Sequence, residues 1–236
     1  MMQYMQTRIV VIVFMLVAVT PARAQDDVLA AIQKIYNAYN SGHVIRFAGN
    51  MKMYDKNDPA KIIEKMQSNY LVKDKNFSCS IGPVEMLLND KYYVSVDNSD
   101  KLIMIGYKKD LSATAQAPVL NISQFKKMIA DKKMEAVVSN KAGVAVLQLS
   151  DINGASGFTM YNIEYNAASG YMKKVILETG SNSGTGKTMV LEINYSGPAA
   201  VTDGKDVFSE KSFFSIVNNK IQVTANYKTY QIINQL

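Results

Sequence analysis

The sequence is poor in the side chains from which catalytic centres and disulfide frameworks are usually built. Its 236 residues include one cysteine, one histidine and no tryptophan. Cys79, the single cysteine, has no partner for an internal disulfide. One histidine and one cysteine cannot supply the usual zinc shell, so any metal would need carboxylate ligands. We therefore predict neither a metal site nor a cofactor.

Neither the cysteine nor the histidine stands in a pattern that indicates nucleophilic catalysis. Two positions to either side of Cys79 are Phe77 and Ile81, which favours a small buried side chain over a reactive thiol. His43 follows Gly42 at a predicted helix end, which favours a surface residue over a member of a hydrolytic triad. Paired carboxylates remain an alternative because several acids fall on predicted strands or strand ends, although nothing pairs two of them: Glu85, Asp97, Glu164, Glu178 and Glu192.

Long apolar runs are scarce, and the one at the start of the chain is typical of an export signal. Arg8 precedes an apolar run from Ile9 to Val19, and Ala22-Arg23-Ala24 follows it. The run is too short to span a bilayer, and Ala-x-Ala is a cleavage pattern. We predict a signal peptide over residues 1–24, one domain over residues 25–236, and a periplasmic product. No cysteine near the cleavage point marks a lipid-modified terminus, so no stable membrane anchor is expected.

The sequence also lacks a large excess of charge of either sign. Removal of residues 1–24 leaves 24 basic and 20 acidic side chains. The lysines are scattered, so a nucleic-acid partner is not predicted. Arg46 is then the one arginine beside 23 lysines. A guanidinium offers a planar fork of five donors that lysine cannot replace, so Arg46 is a candidate for holding a carbonyl cluster or a carboxylate, with an exposed strand residue as the alternative.

Two loop motifs resemble ligand sites but lack a required residue. GSNSGTGKT, from Gly180 to Thr188, ends like a phosphate-binding loop, yet Ser181 stands where the first glycine should be. It also lies between two predicted strands, which favours a hairpin loop. Asp97, Ser99 and Asp100 have the spacing of a solvated turn, because the glycine and glutamate of a calcium loop are missing.

Three stretches have the apolar spacing of amphipathic helices. Asp26 to Asn40 is the first, ended by Ser41-Gly42. Pro59 to Leu71 is the second, with Asp58 as its cap and proline at the first helical position. The third is Asn121 to Lys133.

The rest of the chain alternates apolar and polar residues with the period of β-strands. Asn76 to Lys109 predicts a meander of three antiparallel strands with turns at Asn89-Asp90 and Asn98-Ser99-Asp100. Val44 to Tyr54 and seven stretches after Met134 predict the others. The fold class is α+β: a curved antiparallel meander sheet, a half-barrel of about ten or eleven strands, with three helices covering the concave face.

This pattern resembles the LolA and LolB type of lipoprotein carrier proteins. The shared features are a signal peptide without a lipid-anchor cysteine, an amphipathic first helix and a curved antiparallel sheet. LNDKYYVSVDNSDKLIMI, residues 88–105, is similar in rhythm to the central strands of that family. The resemblance implies an unclosed barrel whose apolar concave side shelters the acyl chains of lipoproteins, and a latch arginine that corresponds to Arg46.

The leading hypothesis is a non-enzymatic periplasmic carrier for acyl chains, lipoproteins or another apolar ligand. The alternatives are an interaction module with a protein partner in the cell envelope, and a periplasmic hydrolase. Fourteen methionines supply adaptable side chains that could line a cavity. The predicted ligand-binding residues lie on the meander and on the second helix: Phe77, Ile81, Met86, Leu88, Val94, Val96 and Met104, with Ile62, Met66 and Tyr70.

Overall fold

A computed structural model of the chain describes residues 20–110, 129, 131, 134–151, 158–179, 188–201, 206–218 and 220–236. These residues form one long α-helix and fifteen strands, thirteen of them in one open sheet. No helix in the described part of the chain is long and apolar enough to cross a membrane. The elements are α1 (Thr20–Tyr39), β1 (Val44–Asp55), β2 (Asp58–Lys73), β3 (Asn76–Ile81), β4 (Val84–Leu88), β5 (Tyr92–Asp97), β6 (Leu102–Tyr107), β7 (Met134–Lys141), β8 (Val144–Asp151), β9 (Phe158–Asn166), β10 (Met172–Thr179), β11 (Met189–Tyr195), β12 (Ala199–Val201), β13 (Phe214–Val217), β14 (Lys220–Val223) and β15 (Gln231–Gln235).

The sheet consists of two meanders that meet at β1. Its order is β15-β6-β5-β4-β3-β2-β1-β11-β10-β9-β8-β7, and β12 pairs with the start of β1. The chain moves outward from β1 to β6, passes to the opposite edge at β7, and returns strand by strand to β1. Every pairing is antiparallel except that of β15 with β6, which is parallel. Among the described strands β7 and β15 do not pair, so the sheet is open.

Helix α1 lies across one face of the sheet, which we call the inner face. Its apolar stripe is buried against residues of both meanders: Val28, Ala31, Ile32, Ile35 and Tyr39. Gly170, in the turn between β9 and β10, has φ +80° and lies so close to the helix that a Cβ there would be 2.6 Å from the Lys34 carbonyl oxygen. Glycine is required at this position because of both the left-handed backbone and the lack of space.

The C-terminal segment covers part of the opposite, outer face. Phe208, Phe213, Phe214 and Tyr227 pack against β4, β5 and β6 in a second apolar cluster. The Asn89 amide anchors this segment by donating hydrogen bonds to the Phe208 carbonyl at 3.1 Å and to the Glu210 carboxylate at 3.0 Å. The two clusters therefore lie on opposite faces of one sheet.

The prediction of a helix over Pro59 to Leu71 is wrong. These residues form most of β2, which pairs with β1 from Asp58 to Val72. Asp58 begins β2 rather than capping a helix, and Lys56 and Asn57 form the hairpin turn, in which the Asn57 N–H donates to the Asp55 side chain at 2.9 Å. The alternation of Met66, Ser68, Tyr70 and Val72 on one face is the strand signal that the helical spacing obscured.

Two further predictions need correction. The stretch from Asn76 to Lys109 contains four strands rather than three, because Gly82, with φ +53°, turns the chain between β3 and β4. The described residues also form fifteen strands and one long α-helix rather than ten or eleven strands and three helices. The first helix and the strand from Val44 are confirmed. The third helix, Asn121 to Lys133, and the Gly180 to Thr188 motif lie almost wholly outside the described residues.

Candidate functional site

The candidate site is the part of the inner face that lies beyond α1. Residues paired across neighbouring strands lie on the same face of a sheet, about 5 Å apart at Cβ. The register can therefore be followed from strand to strand. One row joins Leu177, Leu191 and Met53, and the next joins Val175, Ile193, Met51 and Met66. Both rows are apolar on every strand from β10 to β1.

The end of the inner face near the C-terminus of α1 is filled by aromatic rings. Phe47 stacks on Tyr70 at 4.8 Å between ring centroids and meets Tyr39 and Tyr195 edge to face at 5.2 and 5.6 Å. Burial raises the pKa of the Tyr39 hydroxyl to about 12, and that hydroxyl accepts a hydrogen bond from the Met172 N–H. This end of the face is part of the packed core.

The remaining apolar side chains are less completely covered. Apart from Met51, which is 9% exposed, they are half-buried, and we call them the apolar strip. Its members are Leu177, Leu191, Met53, Met51, Met66, Ile81, Met86 and Met104. Five of the eight are methionines, whose flexible thioether side chains adapt to irregular shapes. The strip thus offers a broad apolar surface that can rearrange around a ligand.

The structure brings together most, but not all, of the predicted ligand-binding residues. Phe77, Leu88 and Tyr70 lie on the inner face within the packed core. Met86 pairs with Cys79, and Met104 pairs with Ser95 on the same face. Met66, Ile81, Met86 and Met104 belong to the apolar strip.

Val94 and Val96 are not on that face. Val94 pairs with Leu87 and Ile105, and these residues belong to the outer cluster under the C-terminal segment. Val96 is 0% exposed. The turn at Asn89-Asp90 sets Leu88 opposite Tyr93, so the apolar residues of β5 lie on the face opposite to Met86 and Leu88.

Three other singled-out residues occupy different surroundings. Ile62 lies past a register shift in β2, opposite Tyr54 and away from the strip. Arg46 is exposed, and its position between Ile45 and Phe47 on β1 puts it on the outer face. Cys79 is buried on the inner face, and this burial raises the pKa of its thiol to about 12. Such a thiol is protonated at neutral pH and unreactive.

The outer face of β1, β10 and β11 carries buried carboxylates held by lysines. Glu192 accepts a hydrogen bond from Asn194 at 2.9 Å and lies 3.2 Å from Lys52 and 3.4 Å from Lys174. Burial raises the pKa of Glu192, but these hydrogen bonds and lysine charges outweigh it and hold the pKa below its usual value. Glu178 makes a separate ion pair with Lys56 at 2.6 Å.

These ion pairs favour a structural role for both carboxylates over acid–base catalysis. Asp97 likewise caps its own turn, accepting hydrogen bonds from the N–H groups of Ser99 and Asp100 at 2.9 and 3.1 Å. No group of three or more metal-ligating side chains occurs within the described part of the chain.

Sequence reasoning missed the contributions of β1, β10 and β11 to the strip. Met51 and Met53 lie on either side of Lys52, and this alternation was a usable signal, whereas Leu177 and Leu191 follow the apolar Ile176 and Val190. What the sequence could not supply was the pairing of β1 with β11, because about 130 residues separate these strands.

No protein-family model matches the sequence, and no curated protein matches it. Solved structures do show similarity. A LolA superfamily protein from Nitrosomonas europaea is 10% identical, with a TM-score of 0.40, over 76% of this chain and 96% of that one. An outer membrane lipoprotein-sorting protein domain from Vibrio parahaemolyticus is 14% identical, with a TM-score of 0.36, over 78% and 95%.

The MucA/MucB complex of Pseudomonas aeruginosa also contains a similar chain. It is 8% identical, with a TM-score of 0.45, over 84% of this chain and 63% of that one. These likenesses concern the fold alone.

Proposed function

We propose that the protein is a periplasmic carrier that holds an acyl chain or another apolar ligand against the apolar strip. The observation that carries this proposal is the run of apolar side chains across neighbouring strands of the inner face beyond α1. On β10, β11 and β1 both rows contain only leucine, isoleucine, valine and methionine; on β2 one row continues at Met66, and the other meets the exposed Glu64. Apart from Met51, the strip side chains are half-buried rather than sealed.

A half-buried apolar surface of this extent has a physical consequence for binding. Each methylene that moves from water onto such a surface contributes about 0.8 kcal/mol. An acyl chain can therefore bind through burial alone, without a charged or hydrogen-bonding group at the strip. The five methionines would adjust to chains of different length and saturation.

We further propose that the sheet curves around the strip as a half-barrel. Seven strand spacings separate β10 from β6, which amounts to about 34 Å in a flat sheet at ~4.8 Å per strand. A flat sheet of that width would leave one side of an acyl chain in water, whereas a curved sheet would contact it on several sides.

The test uses an apolar dye whose fluorescence rises when it leaves water. The purified mature chain should bind the dye, and fatty acids should displace it with an affinity that increases with chain length, up to about fourfold per added methylene. Organic extraction followed by mass spectrometry should recover lipid from protein isolated from the periplasm. Absence of dye uptake together with repeated recovery of lipid-free protein would exclude the carrier function.

A second candidate is an interaction module that binds a protein partner in the cell envelope. The observation that favours it is a strand edge: β2 extends past β3, and no described strand covers residues 58–66 on that side.

The latch role of Arg46 remains a prediction. Because its side chain lies on the outer face, a latch there would have to act from outside the strip. Arg46→Leu should change the rate at which bound fatty acid is released, and an unchanged rate would remove that role.

A further inference from the structure

The free edge of β2 results from the unequal lengths of neighbouring strands. β2 pairs with β1 along nearly its whole length, but it pairs with β3 only from Ser68 to Lys73. β3 ends at Ile81, and the Gly82 N–H then donates to the Gln67 carbonyl at 3.0 Å. Residues 58–66 therefore pair with a described strand on one side only.

The backbone groups along this edge are positioned to accept another strand. In an antiparallel strand, the N–H and C=O of one residue point to the same side, and those of the next residue point to the opposite side. Because the Gln67 carbonyl points toward the β3 side, the N–H and C=O of Lys65 point there as well. The side chains around it are accessible: Ile63 is 53% exposed, and Lys61, Glu64 and Lys65 are exposed too.

Each face of the sheet ends at this edge with a different chemistry. On the inner face, the row that contains Met51 ends at Met66, which is half-buried. On the outer face, Glu192, Lys52 and Lys65 form a row in which Lys52 pairs with Glu192. Lys65 makes no ion pair with any described residue. It lies directly opposite Lys52, and like charges in that position are destabilising.

We propose that this edge of β2 binds an extended segment of a partner protein as an added strand, and that the segment alternates acidic and apolar residues. An acidic side chain beside Lys65 would complete the outer row with the missing negative charge. The next residue of the segment would point to the inner face and pack against Met66. This inference rests on the second candidate function and gives the chemistry of the partner.

The same residues disfavour a second copy of the chain as the occupant. Pairing two β2 edges would bring Lys61 and Lys65 of one copy close to the same lysines of the other, and like charges repel. Pro59 also lacks the N–H that a long edge-to-edge pairing needs. Lysine and proline are typical of edges that avoid self-association.

The probe is a fluorescein-labelled ten-residue peptide of alternating valine and glutamate, and the control is its valine–lysine counterpart. Fluorescence anisotropy with the purified full chain should show binding of the glutamate peptide alone, and the binding should weaken as salt is added. Hydrogen exchange should slow in peptides covering residues 61–66. Binding of both peptides equally, binding of neither, or protection at a different strand would overturn the proposal.

Two variants assign the binding to this edge. Lys65→Pro removes an N–H that points away from β1, and it should weaken binding of the glutamate peptide at least tenfold. Lys65→Glu needs no backbone change, and it should reverse the preference toward the lysine peptide even if the proline variant does not fold. The proposal would be overturned if Lys65→Glu still preferred the glutamate peptide. It would also be overturned if sedimentation showed that the unmodified chain forms a dimer and that Lys65→Glu alters this dimer. Dye uptake reports on the strip, so failure of peptide binding with normal dye uptake leaves the carrier proposal intact.

Discussion

Two adjacent residues of β10 provide a matched test of which face binds ligand. Leu177 pairs with Tyr161 and Leu191 on the inner face, whereas Ile176 pairs with Asn162 and Glu192 on the outer face. Both side chains are half-buried. Replacing each with glutamine removes a similar apolar area from the same strand, on opposite faces.

The expected effects follow from how much apolar area each substitution removes from the protein surface that contacts the ligand. Full burial of a leucine side chain contributes about 1.5–3 kcal/mol, and a half-buried side chain about half of that. Leu177→Gln should therefore weaken fatty-acid binding by about 0.8–1.5 kcal/mol, or roughly four- to thirteenfold. Ile176→Gln should leave the dissociation constant unchanged, because its side chain points away from the strip.

The assay is displacement of the apolar dye by a fatty acid, with urea unfolding of each variant as the stability control. Both variants should lose a similar amount of stability, about 1 kcal/mol. Equal dissociation constants for the two variants would refute the assignment of the ligand to the inner face. A larger loss of affinity for Ile176→Gln would instead assign it to the outer face.

Three further predictions concern the core, the buried carboxylate and the cysteine. Phe214 is 1% exposed in the outer cluster, so Phe214→Ala should lower the free energy of unfolding in urea by about 3–5 kcal/mol without changing the dissociation constant of the fatty acid. Although burial raises the pKa of Glu192, its hydrogen-bond and lysine partners lower it more. Its contribution to stability is therefore present above the unfolded pKa of about 4.3 and is lost as the pH falls through the lower folded pKa. Glu192→Gln should thus be less stable than the parent at pH 7, and the difference should shrink toward pH 3. Burial raises the pKa of Cys79 to about 12, so an aromatic disulfide reagent at pH 8 should modify it slowly in the native protein and rapidly in urea.

Each of these three predictions has a result that would contradict it. A loss below about 1 kcal/mol for Phe214→Ala would show that the C-terminal segment is not packed on the outer face. A stability difference for Glu192→Gln that is the same at pH 7 and pH 3 would remove the lysine pairing as its cause. Equal rates of thiol modification in native and unfolded protein would show that Cys79 is accessible.

The alternation of single strands could be read from the sequence because it depends on neighbouring residues. Val44 to Tyr54 and the strands from β7 to β11 were predicted for this reason, as was the helix that buries Ile32 and Ile35. The predicted strands over residues 206–217 and 221–230 are wrong for most of their length, because only residues 214–217 and 221–223 of them lie in strands. β2 was mistaken for a helix because Ile62, Met66 and Tyr70 also fit a helical spacing. The long pairing with β1 decides between the two, and it is a tertiary interaction that overrides local preference.

The faces of the strands were harder to predict than the strands themselves. A turn that shifts the register by one residue moves every apolar side chain of the following strand to the other face. This occurs at Asn89-Asp90, so Val94 and Val96 face the C-terminal segment rather than Met86. The segment that covers them follows about 110 residues later, and nothing local to β5 indicates its presence. The sequence therefore predicts an apolar surface as the candidate site, but it identifies only some of the residues that form this surface.

Photolabelling tests the central claim most directly. A fatty acid with a photoreactive group in its acyl chain would be bound to the purified protein, irradiated, and its attachment points mapped by mass spectrometry. The account predicts labels in peptides that contain Met53, Met66, Leu177 and Leu191, and competition by unlabelled fatty acid. Labels confined to the outer face or spread without competition would contradict it.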